Sequence, residues 1–132
     1  MTPMPNPAES AAIAAARAFI DAFNAQDHEA LAATLNYPHV RLANGRFMTV
    51  ESHEEFVRRG PQVEKLLEAE GWHHTVLESM QTVHVGDDKV HLKLAIDRCH
   101  ADGSVYNSFD TLWIATLQDG HWGIQFRSSY LR

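Results

Sequence analysis

The chain has 132 residues, 45% of them hydrophobic, and a formal net charge of −6 from 11 Lys and Arg against 17 Asp and Glu. That length is one domain, residues 1–132, with enough apolar side chains for a core; scattered basic residues exclude a phosphate-tracking stripe and so nucleic acid, and no apolar run approaches the ~20 residues of a membrane span. Cys99 is alone, so no internal disulfide can form and a reducing, cytoplasmic setting is expected.

Met1 to Pro5 are Pro-rich, and a disordered tail reaching residue 6 is expected. Asn6-Pro7-Ala8-Glu9 carries the signals of a helix start: Asn as N-cap, Pro in the first turn, Glu reaching back. Ile13, Ala16, Ile20 and Phe23 then recur at helical spacing, with Phe19 beside them. Asn24-Ala25-Gln26 interrupts the pattern, and Asp27 can cap a second, short helix that ends at Tyr37-Pro38. His39 to Leu42 reads as a short strand, turning at Asn44-Gly45 into Arg46 to Val50. Ser52-His53-Glu54-Glu55 is a capping box for a third helix, with a break or kink expected at Gly60-Pro61. Val63, Leu66 and Leu67 continue its buried stripe to a stop at Gly71.

The last sixty residues alternate as one antiparallel sheet. Gly86-Asp87-Asp88, Asp102-Gly103 and Asp119-Gly120 are hairpin signals, because glycine accepts the positive φ of a tight turn. Four strands are expected, at about 72–86, 89–101, 104–118 and 121–131.

The order α-α-β-β-α-β-β-β-β, with Phe19-Ile20-Asp21-Ala22-Phe23-Asn24-Ala25-Gln26-Asp27 and Asp119-Gly120-His121-Trp122-Gly123-Ile124, resembles the NTF2-like superfamily and its SnoaL-like and ketosteroid-isomerase-like families. The resemblance covers about residues 9–131. It implies an α+β cone, helices packed on a strongly curved, mainly antiparallel sheet around an internal pocket. It also implies a homodimer through the outer sheet face. It assigns no function, since this scaffold hosts isomerases, cyclases, dehydratases, dimerisation modules and transport adaptors.

Two-residue loops fix a register. Leu117 falls opposite Trp122, Ala115 opposite Ile124, Trp113 opposite Phe126 and Thr111 opposite Ser128, with Tyr130 on the same face. The second hairpin pairs Ile96 with Phe109, Arg98 with Asn107 and His100 with Val105. The inner face is apolar and ends in Arg98, His100, Asn107, Ser128 and Tyr130. Hydrophobic walls with a few placed donors are the pattern of a ligand pocket; solvated strand ends are the plainer reading, and one β-bulge would swap the faces. Glu78, Lys93, Asp97, Tyr106, Ser108, Asp110, Leu112, Ile114 and Arg127 fall on the outer face, with Arg127 near Asp110.

Steroid-type isomerisation needs a carboxylate base and an acid pair for the enolate. The resemblance places Phe19 where those isomerases carry the oxyanion-binding Tyr, and Leu42 or Ala43 where they carry the base. None of these can move or donate a proton. No group of His, Cys and acidic residues has the three or four convergent ligands of a zinc site, and no nucleophile motif or cofactor loop is present. His39 and His100 are the candidates for catalysis. If Val40 and Leu42 pack inward, the favoured arrangement, His39 and Arg41 face solvent; in the reverse case His39 is the best base in the chain.

The expected function is binding of a small, largely hydrophobic molecule with an anionic or carbonyl group, with isomerase, lyase and hydrolase chemistry all open. Phe19, Phe23, Trp113, Phe126 and Ile96 would line the cone, and Arg98, with Asn107, would be the handle because no inner-face carboxylate is apparent. The alternative is a non-enzymatic dimerisation or accessory module with a filled cavity. An internal cavity of at least ~300 Å³ holding electron density would favour the first, and a filled barrel the second.

Overall fold

The computed structural model describes residues 6–131. The expected tail at residues 1–5 lies outside them. Asn6 does not belong to any tail: its side chain accepts from the Ala8 N–H at 2.9 Å and the Glu9 N–H at 3.2 Å and starts helix α1, Pro7–Ala25. The helix ends in Gln26, whose positive φ of 51° closes the C-cap. Asp27 caps α2, His28–Ala33, as its position predicts. The short helix stops at Thr34, before Tyr37-Pro38, because Leu35 already enters a strand.

Strand β1 spans Leu35–Ala43 and turns through Asn44 and Gly45, both at positive φ, into β2, Arg46–Val50. Ser52 caps α3, His53–Glu70, and Glu55 reaches back to the Glu51 N–H at 2.8 Å. No break occurs at Gly60-Pro61: α3 runs through Pro61 to the Gly71 cap. Gly60 faces α2 so closely that a Cβ would lie 2.5 Å from the His28 ring, so the pair Gly-Pro marks a helix contact instead of a stop. Two reciprocal pairs bridge these helices, His28–Glu64 at 2.6 Å and His53–Glu29 at 2.7 Å. Of the expected buried stripe only Leu67 is buried; Val63 and Leu66 are exposed at 40% and 61%.

The remaining strands follow the expected plan: β3 His74–Val85, β4 Lys89–Cys99, β5 Val105–Gln118 and β6 His121–Ser129. Their sheet runs β2-β1-β6-β5-β4-β3, antiparallel except where β1 meets β6. This is the α+β arrangement expected. Register shifts interrupt four of the ladders, all but β1–β2, and bulges of this kind add twist. Helix α1 packs across the concave side with Ala12, Ala16, Phe19 and Ile20 against Val90, Leu92, Leu94, Trp113, Ala115 and Ile124. Trp113 meets Phe19 edge-on at 4.6 Å and donates its indole N–H to Thr111 at 3.0 Å, so its polar atom is satisfied in the core.

Two polar clamps hold the ends of the sheet. Asn24 mimics a strand, donating to the Thr75 carbonyl and accepting its N–H, and so ties α1 to the edge strand β3. Asn36, buried in β1, donates to Thr116 and to the His121 carbonyl. Gly123 permits this approach: a Cβ there would lie 2.7 Å from the Leu35 backbone.

Candidate functional site

One bulge decides the chemistry of the concave face. Ala115 faces Ile124, as the turn predicts, but Ile114 then faces Phe126, Trp113 faces Arg127 and Thr111 faces Ser129. Gln125 is the extra residue, and every side chain beyond it changes face. Phe126 and Ser128 therefore lie on the outer face, Tyr130 is 74% exposed, and Arg127 turns inward and away from Asp110. Gly123 next to Ile124 was the available signal, since a glycine inside a strand often marks a bulge.

The parallel ladder carries the change to β1. Arg41 pairs with Arg127 and Leu42 with Ser128, so Arg41 is inside and Val40 and Leu42 are outside. This is the reverse of the favoured arrangement. Between Leu35 and Val40 the strand loops against β6, and the loop seats His39 in the interior, 2% exposed.

These inward turns line a cavity of about 270 Å³ between the sheet, α2 and α3. Its walls are Phe19, Phe23, Leu31, Val50, Phe56 and Leu67; Met48, Val63 and Leu66 stand at its exposed rim. Arg41, Arg98 and Arg127 all face it, and all three also face a second, smaller space of about 30 Å³ toward Trp113, Thr75 and Ser129. The volume lies just below the lower edge of ligand sites, roughly 300 Å³.

The three arginines are not equivalent. Arg98 donates to Glu70 at 3.1 Å, and its guanidinium lies 5.7 Å from the Phe109 ring. Glu70, from the last turn of α3, also accepts from the Tyr106 hydroxyl at 2.7 Å. The expectation that no carboxylate stands on the inner side for Arg98 is thus corrected: one comes from a helix 28 residues away in sequence. Among the described residues no carboxylate bonds Arg41, although the Glu70 charge partly offsets its own, and its buried Nε finds no hydrogen-bond partner. Arg127 lies 4.9 Å over the Phe19 ring and donates its Nε–H to His39 Nε2 at 3.1 Å. Burial, then the mutual repulsion of the cluster, lowers the pKa of Arg41 and lowers that of Arg127 well below the ordinary range. Arginine stays charged under such pressure, so the cavity holds cations short of counter-charge.

His39 is held at both ring nitrogens. The Ile124 carbonyl, 3.0 Å away, can only accept, so Nδ1 carries the proton; Nε2 must then accept from Arg127. Burial first, then the Arg127 charge, pushes its pKa down to about 3. A base that weak accepts no proton from an ordinary carbon acid near neutrality.

The other expected handles lie elsewhere. Asn107 sits directly across from Arg98, as predicted, but beyond the residues that line either space. His100 bonds the Gly71 carbonyl at 2.8 Å and stacks on Tyr106 at 4.5 Å, outside the cavity, because a bulge at Arg98–Cys99 pairs Val105 with Cys99 instead. Phe19, Phe23 and Trp113 do line the concave side. Among the described residues no three His, Cys, Asp or Glu converge as metal ligands, and no helix is long and apolar enough to cross a membrane.

Residues 9–127 match the family model described as NTF2-like protein (DUF6841). A comparison with curated proteins finds no match. Among solved structures, a ketosteroid isomerase-like protein from Erwinia carotovora atroseptica superposes with a TM-score of 0.71 at 21% identity, over 96% of this chain and 98% of that one. An NTF2-like protein with a cystatin-like fold from Novosphingobium aromaticivorans gives 0.73 at 15% identity, over 94% and 81%. Aln2 from a Streptomyces species gives 0.71 at 15% identity, over 98% and 94%. At these identities the likeness is one of fold.

Proposed function

The chain belongs to the NTF2-like family DUF6841, and on that footing we propose that it binds a small, largely hydrophobic molecule bearing an anionic group inside its cone. One observation carries the reading. Arg41, Arg98 and Arg127 face a largely apolar cavity in which, among the described residues, Glu70 is the sole lining carboxylate, and Glu70 bonds Arg98 and Tyr106. Burying guanidinium charge without a partner is costly, so a fold that retains two such groups gains when an anion arrives. The ketosteroid-isomerase reaction is not part of this reading: Phe19 cannot donate, Leu42 faces outward and Ala43 cannot act as a base.

The test is a thermal-shift screen of hydrophobic acids against their neutral amides, with Arg41→Met and Arg127→Met as controls. Acids should raise the melting point of the wild type more than amides do, and the variants should lose that preference. Equal shifts from acids and amides would favour the accessory-module reading.

The assembly we propose is a homodimer through the outer sheet face, in the cytoplasm. Val40, Leu42, Phe47, Leu112, Ile114 and Phe126 lie across four adjacent strands on that face, and Phe47 is 71% exposed. An apolar row of this extent suits a contact with a second copy.

A further inference from the structure

The two spaces inside the cone differ in size and in lining, and the difference carries a statement about the ligand's head. The geometry points to a monocarboxylate ligand whose carboxylate enters the small arginine-walled space first and whose apolar body, of about two rings, fills the larger one up to the rim. This inference rests on the anion-binding reading above.

The size of the smaller space sets the head. About 30 Å³ holds one or two water-sized atoms, which suits the two oxygens of a carboxylate better than the three of a sulfonate or phosphonate. The donors agree in shape. Arg127 is oriented by His39 at Nε and by the Phe19 ring beneath it, and its side chain lines both spaces. Arg41 presents a buried Nε without any partner. Two planar forks of this kind match a planar carboxylate in the bidentate manner a lysine cannot reproduce. Arg98 is already held by Glu70, so the head meets Arg41 and Arg127.

The larger space sets the body. A cavity of ~150 Å³ accommodates benzene, so about 270 Å³ is room for a compact bicyclic or equivalent acyl body. Phe19, Phe23, Phe56, Leu31 and Leu67 give it aromatic and aliphatic walls, and the exposed Met48, Val63 and Leu66 ring the opening. Those exposed apolar residues have no role in the core; at the mouth they would meet the far end of the body.

Calorimetry on the full chain with 2-naphthoate, 2-naphthalenesulfonate, 2-naphthylphosphonate and 2-naphthamide tests the inference. The naphthoate should bind at least tenfold more tightly than the other three, and Arg41→Lys and Arg127→Lys should each weaken it about tenfold while preserving charge. Val63→Trp, a change at the exposed rim, should weaken naphthoate about tenfold and leave benzoate unchanged. Sulfonate or phosphonate binding as tightly as naphthoate would overturn the carboxylate head while leaving the anion reading intact. Amide binding equal to acid would overturn the anion reading itself. Failure of all four probes at millimolar concentration would overturn the two-ring body, and naphthoate unaffected by Val63→Trp would overturn its placement toward the rim.

Discussion

Acidification should unload stability through His39 in a window that its environment defines. In the unfolded chain this imidazole protonates near pH 6.5; in the folded one the pKa is pushed down to about 3, by burial first and by the Arg127 charge next. The folded state therefore binds fewer protons than the unfolded state between these values, and stability must fall as pH falls through that window and level off below it. The full effect of a shift from 6.5 to about 3 is roughly 4–5 kcal/mol, and the portion lost between pH 7 and pH 5 is about 2 kcal/mol. Protonation would also place an Nε2–H against the Arg127 Nε–H, removing the acceptor 3.1 Å away. The assay is the urea midpoint of wild type and of His39→Gln from pH 7.5 to pH 4, since glutamine offers a donor and an acceptor without titrating there. The wild type should lose about 2 kcal/mol more than the variant by pH 5, with carboxylate effects cancelling in the difference. Parallel pH profiles would refute the reasoning, as would imidazole nitrogen resonances showing His39 doubly protonated in the folded protein at pH 5.

Three further outcomes test separate parts of the structure. Arg41→Met should raise the denaturant midpoint of the unliganded protein by about 1–2 kcal/mol, because it replaces a buried, under-partnered charge with an apolar chain of similar length; a lower midpoint would show that Arg41 already has a compensating partner. Gly123→Ala should destabilise by at least ~2–3 kcal/mol, since the new Cβ meets the Leu35 and Asn36 backbone, which cannot yield as a side-chain tip does; a change below ~0.5 kcal/mol, measured by urea titration, would contradict that contact. Light scattering should report roughly twice the 14.9 kDa chain mass, and Leu112→Lys with Ile114→Lys should give a monomer that stays in solution, because charge would be left unpaired in the interface.

Local signals were legible in the sequence and face assignments were not. Asn6, Asp27 and Ser52 each act on N–H groups two or three residues away, so a cap is readable wherever its side chain and its helix are adjacent. The hairpin turns were readable for the same reason, and they gave the β4–β5 register from Ile96–Phe109 to Arg98–Asn107. Orientation propagates instead. One extra residue at Gln125 moved Phe126 and Ser128 out, brought Arg127 in, and accompanied Arg41 and His39 on the neighbouring strand. The partner of Arg98 was invisible for another reason: Glu70 is distant in sequence and on a helix, where strand alternation has nothing to say. The chain's candidate site thus consists mostly of residues whose role depends on a bulge or a tertiary contact.

Glu70 ties two quantities that would otherwise be independent, the charge of the cavity and the seating of one of its walls. Its carboxylate neutralises Arg98 from inside, and through Arg98 and Tyr106 it fastens the end of α3 beside the β4–β5 hairpin, where Gly71 receives His100. Linkage makes the tie reciprocal. An anion of the proposed kind that leaves Arg98 to Glu70 leaves this fastening as it is, whereas one that draws Arg98 away competes with Glu70 and leaves the helix end to Tyr106 and His100. For the proposed ligand, the ion pair Arg98–Glu70 is thus a cost that any head reaching for Arg98 has to meet, separate from the fit of its body.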